Sequence, residues 1–273
     1  MTTFAISGYL ARLGCSDVPV TAEGLARLQE AHIRNIPFEN IDPLLGIEPK
    51  VELSAISAKL LGEGRGGYCF ELNELYRGAL EALGFQVERR LARVRMGAAA
   101  GGPRTHLALV CTIDGIRYLC DGGFGGPAPL HPLRADDDGT QHVPNGDYRL
   151  VTDLISGERV LIRDVSDQDF SLYGFDEAYV GDPDIAAANY LCTTWQHSPF
   201  PTHLMVNGYH GDSRIGIFDC QVTVDSPSGI EKLELATQSD LQHVLCSRLG
   251  LEIDRRTLSE VWDRIAQLRS PVS

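Results

Sequence analysis

The segment around Cys69 combines a nucleophilic side chain with a backbone that can turn sharply. It reads Gly64-Arg65-Gly66-Gly67-Tyr68-Cys69-Phe70, and glycine adopts backbone angles that other residues resist. A helical pattern begins directly afterwards, so we expect the thiol at a helix N-terminus with the guanidinium of Arg65 nearby. Both features favour the thiolate, and the free N–H groups of that helix end can stabilise an oxyanion. The alternative interpretation is a buried cysteine in a glycine-rich turn.

A β-hairpin brings a histidine and an aspartate to one side of the chain. Asp114-Gly115 is typical of a two-residue hairpin loop. With that loop, His106 and Asp121 are diagonal neighbours on one face of the hairpin. The backbone positions of such neighbours are about 7–8 Å apart across the two strands. A hydrogen bond between imidazole and carboxylate is then within reach, although a slip of one residue in register would separate them. Because Leu107 and Leu109 point to the opposite face, we expect the pair to lie outside that apolar layer.

Cys69, His106 and Asp121 are the components of a nucleophilic triad, and we predict that they are catalytic. The aspartate fixes the imidazole tautomer and stabilises the imidazolium, while the imidazole takes the thiol proton. The other histidines and cysteines match no standard pattern of zinc ligands, so no metal site is predicted.

The composition narrows the class of protein. The chain has 273 residues, 43% of them hydrophobic and 22% charged, which is typical of a globular protein with a buried core. No stretch approaches the length of apolar residues that spans a membrane, and no secretory signal is recognisable. The formal net charge of −13 argues against binding to nucleic acid. The seven cysteines include no C-x-x-C pair, which favours a reducing, cytoplasmic location without disulfides.

The periodicity of apolar residues changes twice along the chain. The first third is helical, with Thr21 and Ser54 as candidate N-caps and Gly84 at the end of the helix that follows Cys69. The middle third alternates as in an antiparallel sheet or barrel, and the last third mixes strands with a helix opened by Ser239. We therefore expect an α+β protein with three units, at residues 1–84, 85–190 and 191–273.

Four segments resemble the arylamine N-acetyltransferase family, in the same order along nearly the whole chain. They are Ile36-Pro37-Phe38-Glu39-Asn40, Arg65-Gly66-Gly67-Tyr68-Cys69-Phe70-Glu71-Leu72-Asn73, Asp121-Gly122-Gly123-Phe124-Gly125 and Ser198-Pro199-Phe200. The resemblance implies an N-terminal helical bundle that carries the nucleophile, a central antiparallel β-barrel that carries the histidine and the aspartate, and a C-terminal α/β lid. Together they form a catalytic core like that of the cysteine proteases.

The resemblance also implies the reaction and the roles of further residues. Acetyl-CoA, a cosubstrate and not a permanently bound cofactor, would acetylate Cys69. An arylamine, a hydrazine or an arylhydroxylamine would then take the acetyl group. Phe124, Phe38, Phe200 and Gly125 would contact substrate. The ion pair between Glu39 and Arg65, which we read as structural support, would hold the glycine turn.

Two features leave the substrates open. Gly122 stands where many relatives have a bulkier residue, and the loop Ala98–Gly102 is unusually rich in small residues. Both lie near the expected substrate pocket. No basic cluster marks a site for the CoA phosphates. Arg93, Arg95 and Arg104 could contribute to one, but the favoured interpretation is that they are solvated arginines of the surface.

Three other functions fit the same residues. They are an amide synthase of polyketide biosynthesis, a cysteine hydrolase in which water replaces the amine, and a binding module with an inactive triad. The sequence also leaves open whether the chain forms a homo-oligomer.

Overall fold

A computed structural model describes residues 4–165 and 168–268 of the chain. The helices are α1 (Ile6–Leu13), α2 (Ala22–Asn35), α3 (Ile41–Leu44), α4 (Leu53–Ser57), α5 (Cys69–Leu83), α6 (Asp182–Thr194), α7 (Gln238–Gln242) and α8 (Arg255–Ala266). Two π-helical segments, Ala58–Gly62 and His243–Arg248, continue α4 and α7. The strands are β1 (Phe38–Glu39), β2 (Gln86–Val94), β3 (Arg104–Ile113), β4 (Ile116–Cys120), β5 (Leu133–Arg134), β6 (Gln141–Val143), β7 (Gly146–Thr152), β8 (Arg159–Val165), β9 (Gln168–Phe175), β10 (Met205–His210), β11 (Ser213–Phe218), β12 (Gln221–Ser226) and β13 (Gly229–Glu234).

The helix ends agree in part with the sequence signals. The Thr21 hydroxyl accepts a hydrogen bond from the N–H of Gly24, and Gly84 ends α5 with φ at 96°. The prediction that Ser54 caps α4 is wrong, because Glu52 precedes the first helical residue. Ser239 does not open α7 either. Thr237 caps this helix by accepting from the N–H of Asp240.

The middle of the chain forms a nearly closed antiparallel barrel, as predicted. Its eight strands have the order β5-β4-β3-β2-β9-β8-β7-β6. The two edge strands meet through a side chain, since the Gln141 amide accepts from the backbone N–H of Arg134 at 2.7 Å and donates to its carbonyl at 3.0 Å. A side-chain amide here takes the place of a missing backbone partner.

The β3–β4 hairpin has the predicted register. Ile113 pairs with Ile116, and the ladder continues to the pair Leu109–Cys120. The two loop residues Asp114 and Gly115 have φ of 50° and 78°, as a two-residue hairpin loop requires.

Both faces of β3 are buried, and they pack in two different apolar layers. Leu107 and Leu109 pack in the main core with the N-terminal helices, whereas Ala108 and Val110 belong to a second core inside the barrel. The His106 face is therefore an apolar interior as well, and His106 itself is only 2% exposed.

A second, five-stranded antiparallel sheet has the order β1-β10-β11-β12-β13. Its first strand comes from the N-terminal third of the chain, and Phe38 pairs with Asn207 of β10. Helices α7 and α8 contribute Leu241, Val261 and Ile265 to the core beneath this sheet. The α+β architecture of bundle, barrel and lid is confirmed, while the division at 84/85 and 190/191 stays a prediction. In the described part of the chain, no helix is long and apolar enough to cross a membrane.

Candidate active site

The glycine turn before α5 is held against the first strand by close backbone contacts. The N–H of Glu39 donates to the Gly67 carbonyl at 2.9 Å, and Gly67 N–H donates to the Pro37 carbonyl at 3.3 Å. A Cβ on Gly66 would lie 2.2 Å from the Pro37 carbonyl oxygen, so no larger residue fits there. This contact explains why the two sequence motifs occur together.

An ion-pair network fastens the same turn. The Arg65 guanidinium lies 2.7 Å from the Glu39 carboxylate and 2.9 Å from that of Asp42. Lys59 bridges Asp42 and Glu71 at 2.7 and 2.8 Å. The ion pair between Arg65 and Glu39 is thus present, and its role in supporting the turn stays a prediction. The expectation that the Arg65 cation stabilises the Cys69 thiolate is not supported, since its charge is already compensated.

His106 and Asp121 form a buried hydrogen-bonded pair. The imidazole Nε2 donates to Asp121 Oδ2 at 2.7 Å, and both side chains are almost completely buried. The other carboxylate oxygen, Oδ1, accepts three N–H donors, from the Asn73 amide at 2.9 Å and from the backbone of Gly123 and Phe124 at 3.0 Å each. Burial opposes ionisation of Asp121, but the His106 charge and these hydrogen bonds outweigh it and lower the pKa of the carboxyl group. The aspartate therefore stays ionised beside the imidazole.

Cys69 is the first residue of α5 and faces a bulge in β3. In the pairing of β2 with β3, Ala92 lies opposite His106 and Arg93 lies opposite Arg104. Thr105 has no partner in β2, so its carbonyl is left out of the ladder. The Cys69 thiol donates to this carbonyl at 3.7 Å, and the Cys192 thiol donates to it at 3.4 Å. The bulge thus directs one backbone acceptor at two thiols.

The titration of Cys69 is linked to that of His106. Burial raises the pKa of the Cys69 thiol, and the hydrogen bond and charge of His106 partly offset this effect. Burial also lowers the pKa of His106, but Asp121 and the hydrogen bond with Cys69 outweigh it and raise the value to about 10. Because Nε2 is bonded to Asp121, Nδ1 is the atom left for Cys69. A thiolate in this interior is favourable only next to the imidazolium that received its proton.

A cleft of about 410 Å³ opens onto Cys69 and His106. It contains all four predicted substrate-binding residues, Phe38, Phe124, Phe200 and Gly125. The other side chains that line it are mostly apolar or aromatic and include Val94, Met96, Pro103, Pro127, Cys192, Trp195, Pro199 and Met205. Asp121 does not line the cleft and lies behind the imidazole.

Aromatic rings fix the imidazole and shape the cleft. The rings of Phe124 and Tyr173 have their centroids 4.9 and 4.8 Å from that of His106. The ring centroids of Phe38 and Phe200 lie 6.2 Å apart. Gly125 has φ at 72°, and a Cβ there would lie 3.1 Å from the Phe38 ring, so glycine permits both the turn and the ring position.

Several functional features were not visible in the sequence. Cys192, Met96 and Met205 line the cleft, but their sequence context carries no signal for it. The bulge at Thr105 lies in the pairing of β3 with β2, and the residue count along the β3–β4 hairpin does not reveal it. Asn73 stood in a recognised motif without an assigned role.

Two expectations about the surroundings of the cleft need correction. Gly122 does not face the cleft, because a Cβ there would lie 2.7 Å from the His32 ring. The three candidate arginines for CoA phosphates all pair with carboxylates: Arg93 with Glu158, Arg95 with Asp153 and Glu158, and Arg104 with Asp176. In the described ranges, no cluster of three or more potential ligands could hold a metal ion.

Comparisons with known proteins agree with the resemblance. A family model described as N-acetyltransferase matches residues 21–258. A curated arylamine N-acetyltransferase / N-hydroxyarylamine O-acetyltransferase of Salmonella typhimurium is 37% identical over 209 residues, covering 76% of this chain and 73% of that protein. A solved arylamine N-acetyltransferase of Salmonella typhimurium has a TM-score of 0.90 at 31% identity, covering 98% of this chain and 100% of the other.

Two further matches bear on the donor and on the alternatives. The Mycobacterium marinum arylamine N-acetyltransferase, solved in complex with CoA, has a TM-score of 0.89 at 30% identity and covers 97% of this chain and 100% of the other. A curated proansamycin X synthase of Amycolatopsis mediterranei is 31% identical over 156 residues, which cover 55% of this chain and 60% of that protein. The second match is thus shorter than those to the acetyltransferases.

Proposed function

The chain belongs to the arylamine N-acetyltransferase family, and from this premise we propose that it transfers acetyl groups from acetyl-CoA to arylamines, hydrazines or arylhydroxylamines. One observation carries the proposal: a thiol at a helix N-terminus, a buried imidazole–carboxylate pair and an aromatic cleft converge in a family member. In this proposal Cys69 is the nucleophile, His106 the acid and base, and Asp121 the residue that orients the imidazole.

The first half-reaction moves the acetyl group to the enzyme. The Cys69 thiolate attacks the thioester carbonyl of acetyl-CoA, and the tetrahedral intermediate expels the CoA thiolate, which takes the proton held by His106. Both reactant and product are thioesters of similar energy, so this step needs little driving force. The N-terminus of α5 is suited to stabilise the oxyanion, and the backbone of Leu107, which favours the Cys69 thiolate, is a second candidate.

The second half-reaction passes the acetyl group to the acceptor. The amine nitrogen attacks the Cys69 thioester, His106 takes the proton from nitrogen, and the Cys69 thiolate leaves. The pair formed by thiolate and imidazolium is thereby restored. An arylamine is a weak base and is neutral at pH 7, so its lone pair is free to attack.

The lining of the cleft supports an aromatic acceptor. Phe38, Phe124 and Phe200 offer ring faces and edges, and ring stacking favours flat aromatic ligands. A cleft of about 410 Å³ lies within the range of small-molecule sites. We assign these rings and Gly125 to the acceptor side.

The amide synthase remains the second candidate because one relative is a proansamycin X synthase. The acetyltransferase is favoured because its relatives match a larger share of the chain. A cysteine hydrolase would have to admit water to the thioester, and the mostly apolar lining of the cleft is unfavourable for ordered water.

We also propose a cytoplasmic location and the division of the chain into units 1–84, 85–190 and 191–273. The described residues include all seven cysteines and contain no disulfide, which is consistent with a reducing compartment. A homo-oligomer remains open.

The test is the intact mass of the protein after brief mixing with acetyl-CoA in the absence of amine. We expect one added acetyl group on the wild type, none on Cys69→Ala, and full discharge by an arylamine. Cys246→Ala is the matched control, since Cys246 is a free cysteine outside the cleft, and it should behave like the wild type. Absence of an adduct on folded wild-type protein would eliminate acetyl-CoA as the donor and leave the amide synthase or the hydrolase.

A further inference from the structure

Asn73 contacts the chain next to every member of the proposed triad. It follows Cys69 by four residues, which places both on the same face of α5. Its amide Nδ2 donates to the carbonyl of Leu107, the neighbour of His106, at 2.6 Å, and to the Asp121 carboxylate at 2.9 Å. Its Oδ1 accepts from the N–H of Gly122, the neighbour of Asp121, at 2.9 Å.

The hydrogen bonds use both N–H donors and the oxygen of the amide, and they fix its orientation. Asn73 is 0% exposed, both of its N–H donors face acceptors, and its oxygen faces a backbone N–H. A flipped amide would place N–H against N–H and oxygen against two acceptors. The side chain is therefore held in one position by three separate segments of the chain.

The amide stands where the β3–β4 ladder would otherwise continue. The ladder ends at the pair Leu109–Cys120, and in the same register the next pair to exchange hydrogen bonds would be Leu107 and Gly122. The Leu107 carbonyl and the Gly122 N–H are the groups that would bond to each other in that next pair. Asn73 takes both of them and so holds the two strands apart at this point.

Separation of the strands has a direct consequence for the two side chains beyond it. His106 and Asp121 lie at the mouth of the opened hairpin, where their 2.7 Å hydrogen bond forms. Without Asn73, the ladder is free to close by one more pair, and the Asp121 carboxylate loses one of the three donors on its Oδ1.

We propose that Asn73 is a positioning residue that keeps the β3–β4 hairpin open and aligns the Asp121 carboxylate with His106 and Cys69. It touches neither substrate nor the reacting atoms, since it does not line the cleft. The inference rests on the proposed function because it assigns Asn73 to the same triad.

Two substitutions test the proposal through the alkylation rate of Cys69 by iodoacetamide, which requires no acetyl-CoA. We expect Asn73→Ala to lower this rate and kcat for acetyl transfer by about tenfold to hundredfold, the range for a hydrogen bond to a charged group. The KM of the amine should change little. Asn73→Asp should lose most at high pH and recover partly as pH falls, because a protonated carboxyl regains one donor.

The controls separate positioning from stability. Asn145→Ala removes another amide that ties chain segments together, with hydrogen bonds to Leu130 N–H and the Ala128 carbonyl, but has no contact with the triad. It should reduce the melting temperature without changing the alkylation rate of folded protein. Folded Asn73→Ala with a wild-type rate, or Asn73→Asp with the wild-type pH profile, would overturn the proposal. If wild-type protein is alkylated normally but never acetylated, the proposed function fails independently of Asn73.

Discussion

Replacing Asp121 by asparagine removes one charge and also forces one tautomer of His106. Oδ1 of Asp121 accepts three N–H donors, from Asn73, Gly123 and Phe124. In Asp121→Asn the amide oxygen must stay at this position, so the NH₂ group faces Nε2 of His106. That nitrogen then has to accept, and the ring proton moves to Nδ1, the atom that must take the proton of Cys69.

The magnitude follows from the environment of the imidazole. The pKa of His106 lies at about 10, against an ordinary value of 6.5, and Asp121 is the largest cause that raises it. This difference corresponds to stabilisation of the imidazolium on the order of 5 kcal/mol from its partners. Without Asp121, burial opposes the imidazolium and Cys69 alone is left of the groups that favour it, so the pKa of His106 falls. We expect the alkylation of Cys69 to slow by about 10²- to 10⁴-fold, the range for a lost acid–base partner.

The assay is the rate of iodoacetamide adduct formation at Cys69, read by mass at pH 7.5. Asp219→Asn is the matched control, because Asp219 accepts from His203 at 2.7 Å and from the N–H of Leu204 at 2.9 Å, and neither member of that pair lines the cleft. It should keep the wild-type rate. A folded Asp121→Asn protein that is alkylated as fast as wild type would refute the assignment of the carboxylate and the tautomer argument with it.

Two further predictions concern neighbouring groups. Cys192 lines the same cleft, but burial raises its pKa to about 12. At pH 7.5 iodoacetamide should therefore modify Cys69 well before Cys192, as read in a peptide map. Equal labelling of the two cysteines would contradict the buried environment of Cys192. Burial raises the pKa of Glu71 to about 7, with Lys59 opposing, so the folded protein binds more protons than the unfolded chain between about pH 4.5 and 7. The difference in the free energy of unfolding between wild type and Glu71→Gln should therefore fall by up to about 3 kcal/mol as pH rises through this window. Urea titrations at several pH values measure this difference. A difference that stays constant would show that Glu71 titrates normally.

The hairpin that carries His106 and Asp121 was predictable because its geometry is local. A two-residue loop sets the register, and the register sets which side chains share a face. The glycine turn before Cys69 was recognisable for a similar reason, since few sequences allow such a close backbone contact. The structure adds that Gly66 serves contact with Pro37 and not an unusual φ, which is a property of two distant segments.

Two of the features that the sequence did not predict depend on contacts between distant segments. The Thr105 bulge appears only when β2 pairs with β3. The buried state of the His106 face follows from closure of the barrel, which an alternating pattern on one hairpin does not encode. The predicted cap of α7 was wrong because Thr237 and Ser239, two residues apart, offer the same signal. The Asp240 carboxylate accepts from the N–H of Thr237, which makes Thr237 the cap.

The ion pairs of three arginines change the argument that was drawn from the net charge of the chain. With a net charge of −13, the chain needs local positive charge to bind a polyanionic cosubstrate, and Arg93, Arg95 and Arg104 were the candidates. Each of them is held by at least one carboxylate, and Arg95 by two. A phosphate would have to compete with these ion pairs, so their charges do not attract it at long range as free guanidinium groups do. These three arginines are therefore weaker candidates for the CoA phosphates than their positions in the sequence indicated.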